Sequence, residues 1–223
     1  MVETWHGRSY TDQRGSRVQF MGDDITGLPQ ALAGVLGPAQ VLTGSEQLAF
    51  YAHDVFTRGA EALCIVRPSD IAGVQHAARL CSDARVAMVP RGGGASYSDG
   101  YLIDRAHVLF DLSALQTIDI DTTNARVRVG AGVTWAALKA ALDPLGLRTP
   151  FWGPFSGIAA TIGGSVSQNT ISHGSGAYGI SAQSLIGIEV VLADGTLMNT
   201  GVSNATRHYG PDLTGLFTGD YRV

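Results

Sequence analysis

The first residues with chemistry to offer are Pro90-Arg91-Gly92-Gly93-Gly94-Ala95-Ser96-Tyr97, which directly follow an apolar segment. Three consecutive glycines allow positive φ and turn successive backbone N–H groups toward one concave side. Such a nest binds anions through the fixed partial charges of its amides. Ser96 adds a hydroxyl donor, and Arg91 either adds charge or braces the loop. The anion that suits a nest placed after a strand is a diphosphate. The same residues also make an ordinary glycine-rich turn, because one glycine loop is a weak signal by itself.

A second cluster runs from Thr161 through Ile162, Gly163, Gly164, Ser165, Val166, Ser167 and Gln168 to Asn169. It continues in Gly174-Ser175-Gly176-Ala177-Tyr178-Gly179, a literal G-x-G-x-x-G. A dinucleotide fingerprint of that form follows a strand, opens a helix and precedes an acidic residue by about 20 positions. Here the run follows the polar stretch Asn169–His173 and precedes a strand, which argues against a Rossmann site. The one lysine follows no glycine loop, so there is no Walker A motif either. Cys64 and Cys81 have neither metal-ligand spacing nor a disulfide framework, and both fall in apolar segments as buried thiols. No metal site is expected. His173 reads as a polar loop residue, Trp135 as core, and His53-Asp54 as a surface pair ending a helix. Trp152 stands equally for groove lining and for packing. No residue is assigned as a general base.

The elements that must position these clusters can be read from periodicity. Helices are predicted over 28–36, with Pro29 in the first turn and Gly37 at the end, and over 45–53, with Ser45 as cap. A strand over 62–67 leads to a helix over 70–82, capped by Ser69, whose apolar face is Ile71, Val74, Ala78 and Cys81. Strands follow at 85–89 and 107–111. Residues 117–121 and 125–130 form a hairpin around Thr122-Thr123-Asn124. Thr134 caps a helix that ends at Asp143-Pro144 and Gly146. Residues 185–193 and 196–199 are strands joined at Asp194-Gly195, and 211–217 starts a helix or turn. Between them, 150–184 shows little periodicity yet carries Phe151, Trp152, Phe155, Ile158, Ile162, Val166 and Ile171. A stretch that long is functional or disordered, and its apolar content favours backbone wrapped against a ligand. Residues 1–24 lack periodicity and read as a leader.

Composition narrows the partners. Of 223 residues 29 are Gly, about 13% against a usual ~7%. No period of three and only 8 Pro accompany them, so neither collagen nor a linker accounts for the excess. The net charge is −4, and the 15 basic residues include a single lysine, Lys139. No basic face exists for nucleic acid and no lysine-rich patch for a membrane surface. The polar N-terminus has no secretory h-region, and no apolar run is long enough to span a bilayer. A reducing, cytoplasmic location is expected.

Five segments in this order, VPRGGGASYSDG (89–100), GIAATIGGSVSQN (157–169), GSGAYG (174–179), LIGIEVVLADG (185–195) and YGPDLTGLFTG (209–219), resemble a known family. The sequence is similar to the FAD-binding domain of FAD-linked oxidases of the vanillyl-alcohol-oxidase, or PCMH, type. Within these it is closest in look to the glycolate oxidase FAD subunit and D-lactate dehydrogenase branch. The resemblance implies an α+β fold with two subdomains clasping an extended FAD. The resemblance covers about residues 45–220, so 45–223 is expected to be an FAD-binding domain incomplete at its C-terminus, preceded by the leader and short helix of 1–44.

By that resemblance, Pro90, Arg91, Gly92, Gly93, Gly94, Ala95, Ser96 and Tyr97 wrap the pyrophosphate. Phe155, Ser156, Gly157, Thr161, Gly163, Gly164, Ser167 and Asn169 line the other side, and Tyr178 and Gly179 continue that wall. The Ile188 backbone meets the adenine end. Some relatives attach flavin covalently through a histidine in the first loop; Gly94-Ala95-Ser96 stands there instead, so FAD is expected to be non-covalent.

In complete form the implied activity is oxidation of an alcohol or 2-hydroxy acid by hydride transfer to FAD. The family continues beyond Asp220 with a further glycine motif and a substrate-binding cap domain, so the chain reads as C-terminally truncated. A non-catalytic FAD-binding module, or a truncated fragment without turnover, is the alternative.

Overall fold

A computed structural model describes residues 9–11, 17–19, 25–150, 157–201 and 211–219. They form two compact units, and the chain passes between them more than once. The first unit comprises residues 1–90, 101–111 and 191–197; the second comprises 91–100, 112–190 and 198–223.

In the first unit, Ser9–Thr11 (β1) and Arg17–Gln19 (β2) pair antiparallel within the stretch expected to be a plain leader. Leu28–Leu36 (α1) matches its predicted bounds, with Pro in the first turn and Gly37 ending it at φ +92°. Its buried residues Leu28, Ala31, Leu32, Val35 and Leu36 follow the helical period and pack on Ile71–Asp83 (α3).

Two predicted caps move by one residue. Gly44, not Ser45, precedes Ser45–Tyr51 (α2). Asp70, not Ser69, caps α3, its Oδ1 accepting the Gly73 N–H at 2.7 Å. A carboxylate is as good a cap as a hydroxyl and also favours the positive helix end. The buried face of α3 is Ala77, Ala78, Leu80 and Cys81. Ile71, expected on that face, is instead 38% exposed.

A four-stranded sheet has the order β3-β4-β6-β5, from Val41–Leu42 (β3), Cys64–Val66 (β4), His107–Asp111 (β6) and Ala87–Arg91 (β5). β4 and β6 run parallel, pairing Cys64 with Val108 and Val66 with Phe110, and every residue of both is buried. That is why their sequences read as continuous apolar runs rather than as alternations. β6 closes on Asp111, a buried carboxylate. Tyr51 donates its hydroxyl proton to Asp111 Oδ2 at 2.5 Å, and Arg67 Nε reaches the same oxygen at 3.0 Å. The two donors offset the cost of keeping the charge from water.

In the second unit, Ile118–Asp121 (β7) and Arg126–Val129 (β8) form the predicted hairpin. Hydrogen bonds from the Asn124 side chain and backbone hold the Asp121 carboxyl below its usual range and fasten the turn. Trp135–Leu142 (α4) is capped by Thr134, which accepts the Ala137 N–H at 3.1 Å. Its Leu138 and Leu142 join Val133 in a core that takes in Ile118, Ile120, Val127, Val129, Leu147 and Ile162.

The aperiodic stretch after residue 150 contains three short helical pieces. These are Ile162–Ser167 (α5), Ser175–Tyr178 (α6) and a 3-10 turn over Ser181–Ser184. Pieces of four to six residues are too short to show a 3.6-residue period, so no sequence pattern marks them. Glu189–Val191 (β9) and Leu197–Asn199 (β10) pair across the Asp194-Gly195 turn, with Gly195 at φ +79°. Leu213–Leu216 (α7) is the last element among the described residues.

Cys64 and Cys81 are free, fully buried thiols, as expected. Burial pushes the Cys64 thiol up to about 12 from 9.0 and raises Cys81 further, with the neighbouring Cys64 adding to the shift. A thiol neutral in the folded state and ionising near 9.0 when unfolded makes unfolding release protons at high pH. The two thiols therefore leave stability unchanged well below pH 9 and lower it as pH rises through the window above that. Iodoacetamide at pH 8 is expected to leave both cysteines unmodified in the native chain and to alkylate both in denaturant. Stoichiometric labelling of the native chain, read by mass spectrometry, would contradict the burial.

Candidate anion site in the second unit

Both glycine clusters lie in the second unit, and the fold brings them together. β5 delivers the chain into residues 92–98, which press onto the backbone at 159–161. A Cβ on Gly92 would sit 2.2 Å from Thr161 Oγ1, and one on Gly93 would sit 1.6 Å from the Ala159 carbonyl oxygen. Gly94 adopts φ +65°, and its α-carbon faces the Arg91 guanidinium, 2.0 Å from an added Cβ to Nη2. The Arg91 side chain thus lies against the loop at Gly94. The first purpose of these glycines is contact within the protein.

The loop's donors point to an anion. Among the described residues, the N–H groups of Gly92, Gly93, Ala95 and Ser96 donate to no protein acceptor. Backbone amides are obligatory donors, so a row of them without protein partners is served by water or by a ligand. Ser96, only 8% exposed, shares a hydrogen bond with Ser98 Oγ at 3.0 Å and accepts one from Gln168 Nε2 at 3.5 Å. Tyr97 is 61% exposed beside it.

The second cluster behaves oppositely. The N–H groups of Ile162, Gly163, Gly164 and Ser165 donate to Val133 O, Ala131 O, Thr161 Oγ1 and Thr161 O, all between 2.8 and 3.2 Å. Thr161 is the cap of α5 and is buried. Gly163 is pressed on Ala131, where a Cβ would lie 2.8 Å from the Ala131 carbonyl oxygen. Trp135 donates its Nε1–H to Ser165 Oγ at 2.7 Å, which fixes α5 on α4 and makes Trp135 a core residue. Ser167 donates to the Gly164 carbonyl at 3.1 Å, and Asn169, at φ +45°, accepts the Ala182 N–H at 3.0 Å. The cluster is a platform whose polar groups are largely committed to its own fold.

The remaining expected residues are placed as follows. Pro90 is exposed within β5. The Gly157 carbonyl accepts the Ala136 N–H at 3.0 Å. Phe155 and Ser156 lie outside the described residues, as does Trp152. Tyr178 accepts from Arg148 Nη2 at 3.1 Å, with the guanidinium carbon 5.5 Å from its ring centre. Gly179 turns at φ +82° against Gln183. Ile188 stands one residue before β9. Its N–H donates to Thr200 Oγ1 at 3.2 Å, and its carbonyl accepts the Thr200 N–H at 2.9 Å. The literal G-x-G-x-x-G opens the four-residue α6 after a non-strand segment, so it lacks a dinucleotide fold around it. Sequence reasoning missed the roles of Ala159 and Gln168; neither residue carries a local signal for them.

A family model described as an FAD binding domain matches residues 62–201. Over 156 residues the chain is 33% identical to the glycolate oxidase subunit GlcD of Bacillus subtilis, covering 70% of this chain and 33% of that protein. It is 32% identical to the Escherichia coli K12 subunit, covering 88% and 39%. It is 28% identical to a D-lactate dehydrogenase of Archaeoglobus fulgidus, covering 74% and 37%. The chain therefore spans between a third and two fifths of these curated relatives. Among solved structures, alkyldihydroxyacetonephosphate synthase aligns with a TM-score of 0.75 at 16% identity, over 87% of this chain and 40% of that one. Substrate-bound p-cresol methylhydroxylase aligns at 0.68 and 23% identity, over 89% and 41%. At those identities the likeness is one of fold.

Because Gly93 touches backbone and Gly176 has open space around it, alanine separates the two glycines. Gly93→Ala is expected to cost at least about 2 kcal/mol in denaturant unfolding, since overpacking against a carbonyl has no rotamer escape. Gly176→Ala should stay within about 0.5 kcal/mol of the parent. Equal midpoints for the two variants would overturn the loop-on-platform packing.

Proposed function

The chain belongs to the FAD binding domain family, and from that premise we propose that residues 91–98 hold the pyrophosphate of a non-covalently bound FAD. The observation that carries this reading is the open row of amides at Gly92, Gly93, Ala95 and Ser96. The residues present fit the group: a dianionic diphosphate needs several donors, and this loop offers four amides with no acceptor among the described residues, on a fixed backing. Ser96 contributes a hydroxyl. Arg91 holds the loop's curvature and places its positive charge there. Pro90 and Tyr97 flank the site.

Thr161, Gly163 and Gly164 form the backing of that loop, and Gly157 is bonded through its carbonyl to Ala136 beside it. Ser167, Tyr178 and Gly179 would extend the groove beyond that backing. The Ile188 backbone, held by the Thr200 N–H and hydroxyl, would meet the adenine end. Non-covalent attachment is supported by the loop itself, where no His or Cys occurs between Arg91 and Ser98.

When bound, FAD supplies the two-electron acceptor that protein side chains lack. The complete protein would oxidise an alcohol or 2-hydroxy acid, a class supported by the names of its glycolate oxidase and D-lactate dehydrogenase relatives. The carbon would lose a hydride and its hydroxyl a proton. The chain's own residues bind and orient; none is assigned the proton transfer. A substrate-binding cap, on this chain's full-length form or on a partner, would complete the pocket. No helix among the described residues is long and apolar enough to cross a membrane, and the buried free thiols suit a cytoplasmic setting. The reading without turnover has the same cofactor site and differs only in lacking the cap.

The purified chain is expected to be yellow, with flavin bands at about 370 and 450 nm, and to release all its flavin into the supernatant on acid precipitation. In a 15N–1H spectrum, ADP should shift the amide resonances of Gly92, Gly93, Ala95 and Ser96, while riboflavin, which has no diphosphate, should not. FAD binding that leaves those four resonances unmoved would sink the loop assignment. A colourless chain that takes up no added FAD would sink the cofactor reading itself.

A further inference from the structure

The segment 211–219 is the one sequence motif that the cofactor loop leaves unused. Its helix α7 is capped by Asp212, whose Oδ1 accepts the Gly215 N–H at 2.9 Å. The segment is attached to its unit at two places. At the first, Thr214 Oγ1 lies 2.8 Å from Thr200 Oγ1, with both residues buried, and Thr200 in turn holds both backbone groups of Ile188. At the second, the Gly219 N–H donates to the Ser167 carbonyl at 3.0 Å. There Gly219, at φ +77°, meets Asn169 so closely that an added Cβ would lie 2.0 Å from Asn169 Cβ. Asn169 is itself pinned, in a left-handed conformation that asparagine tolerates, by the Ala182 N–H on its Oδ1.

We propose that residues 211–219 form a strap that sets the anion loop through α5, with Asn169 and Gly219 as its positioning residues. The strap fixes the C-terminal end of α5 at Ser167 and Asn169. The cap of that same helix, Thr161, is the surface on which Gly92 rests, and Gln168, beside Asn169, reaches Ser96. A shift at Gly219 therefore passes along one short, packed helix to the open amides. Asn169 and Gly219 act on anion affinity without touching the anion. The inference rests on the diphosphate reading of the loop and adds a second control point to it.

The test is a double-mutant cycle on the 223-residue chain, with ADP as the titrated probe. Gly219→Ala should raise the ADP dissociation constant at least about tenfold, and Asn169→Gly about threefold, because the first drives a Cβ into Asn169 and the second only removes a tether. Asn169→Gly also removes the atoms that an alanine at 219 would strike. The strain of an alanine at φ +77° remains, so the double variant should recover only part of the loss, binding at least about threefold tighter than the two single changes combined would give, a rescue that independent sites do not show. Strict additivity of the two changes, or parental affinity in Gly219→Ala, would overturn the strap. If the parent itself binds no ADP, the diphosphate reading fails. The strap is then judged on the Gly92, Gly93 and Ser96 amide resonances. Displacement in Gly219→Ala and partial return in the double variant supports it; unmoved resonances refute it.

Discussion

Everything around the anion site depends on one close approach: the backbone of Gly92 and Gly93 lying directly on Ala159 and Thr161. The contact leaves no room for a Cβ on either side of the glycine pair. It turns a flexible run of three glycines, which alone would sample many conformers, into a fixed curve with a solid backing. Arg91 closes the curve from the other flank by lying against Gly94. A loop ordered in this way before binding loses less entropy when a ligand arrives, which is the physical value of preorganisation.

The backbone amides divide the labour between the two glycine clusters. Those of α5 are spent inside the protein, on Thr161, Val133 and Ala131, so the short helix stays in place. Those at Gly92, Gly93, Ala95 and Ser96 have no acceptor among the described residues. One cluster is the support and the other the donor surface. Their similar composition hides the difference, because glycine serves close packing and open amides equally well. The excess of glycine therefore has two causes. Gly130, Gly132, Gly163, Gly187 and Gly201 face backbone atoms within 3 Å of where a Cβ would stand, and they belong to the packing of this compact unit. The loop glycines meet that demand and also free the donors.

The parts legible in sequence were those governed by local rules. The bounds of α1, β6 and α4 and the turns at Asn124 and Gly195 followed from period, caps and turn chemistry. Asp70 displaced Ser69, and Gly44 displaced Ser45, because neighbouring residues competed for one cap position and only the backbone path decides between them. The short helices α5 and α6 had no period to read. Ile71 fell off the buried face of α3 because which arc of a helix is covered depends on where α1 lies, and no local pattern states that.

The sequence by itself determined the donors, the flexible run that carries them and the absence of a flavin-linking histidine in that run. It also carried the family, through five ordered motifs whose spacing survives as chemistry. Tertiary structure alone decided which glycines touch protein and which amides stay open. It also decided that Arg91 lies against Gly94 and that Asn169 accepts from Ala182 and packs on Gly219. The reason is that these are contacts between residues tens of positions apart. A residue's type limits what it can do, but whether a given N–H or carboxamide is already spoken for depends on which distant backbone the fold lays beside it.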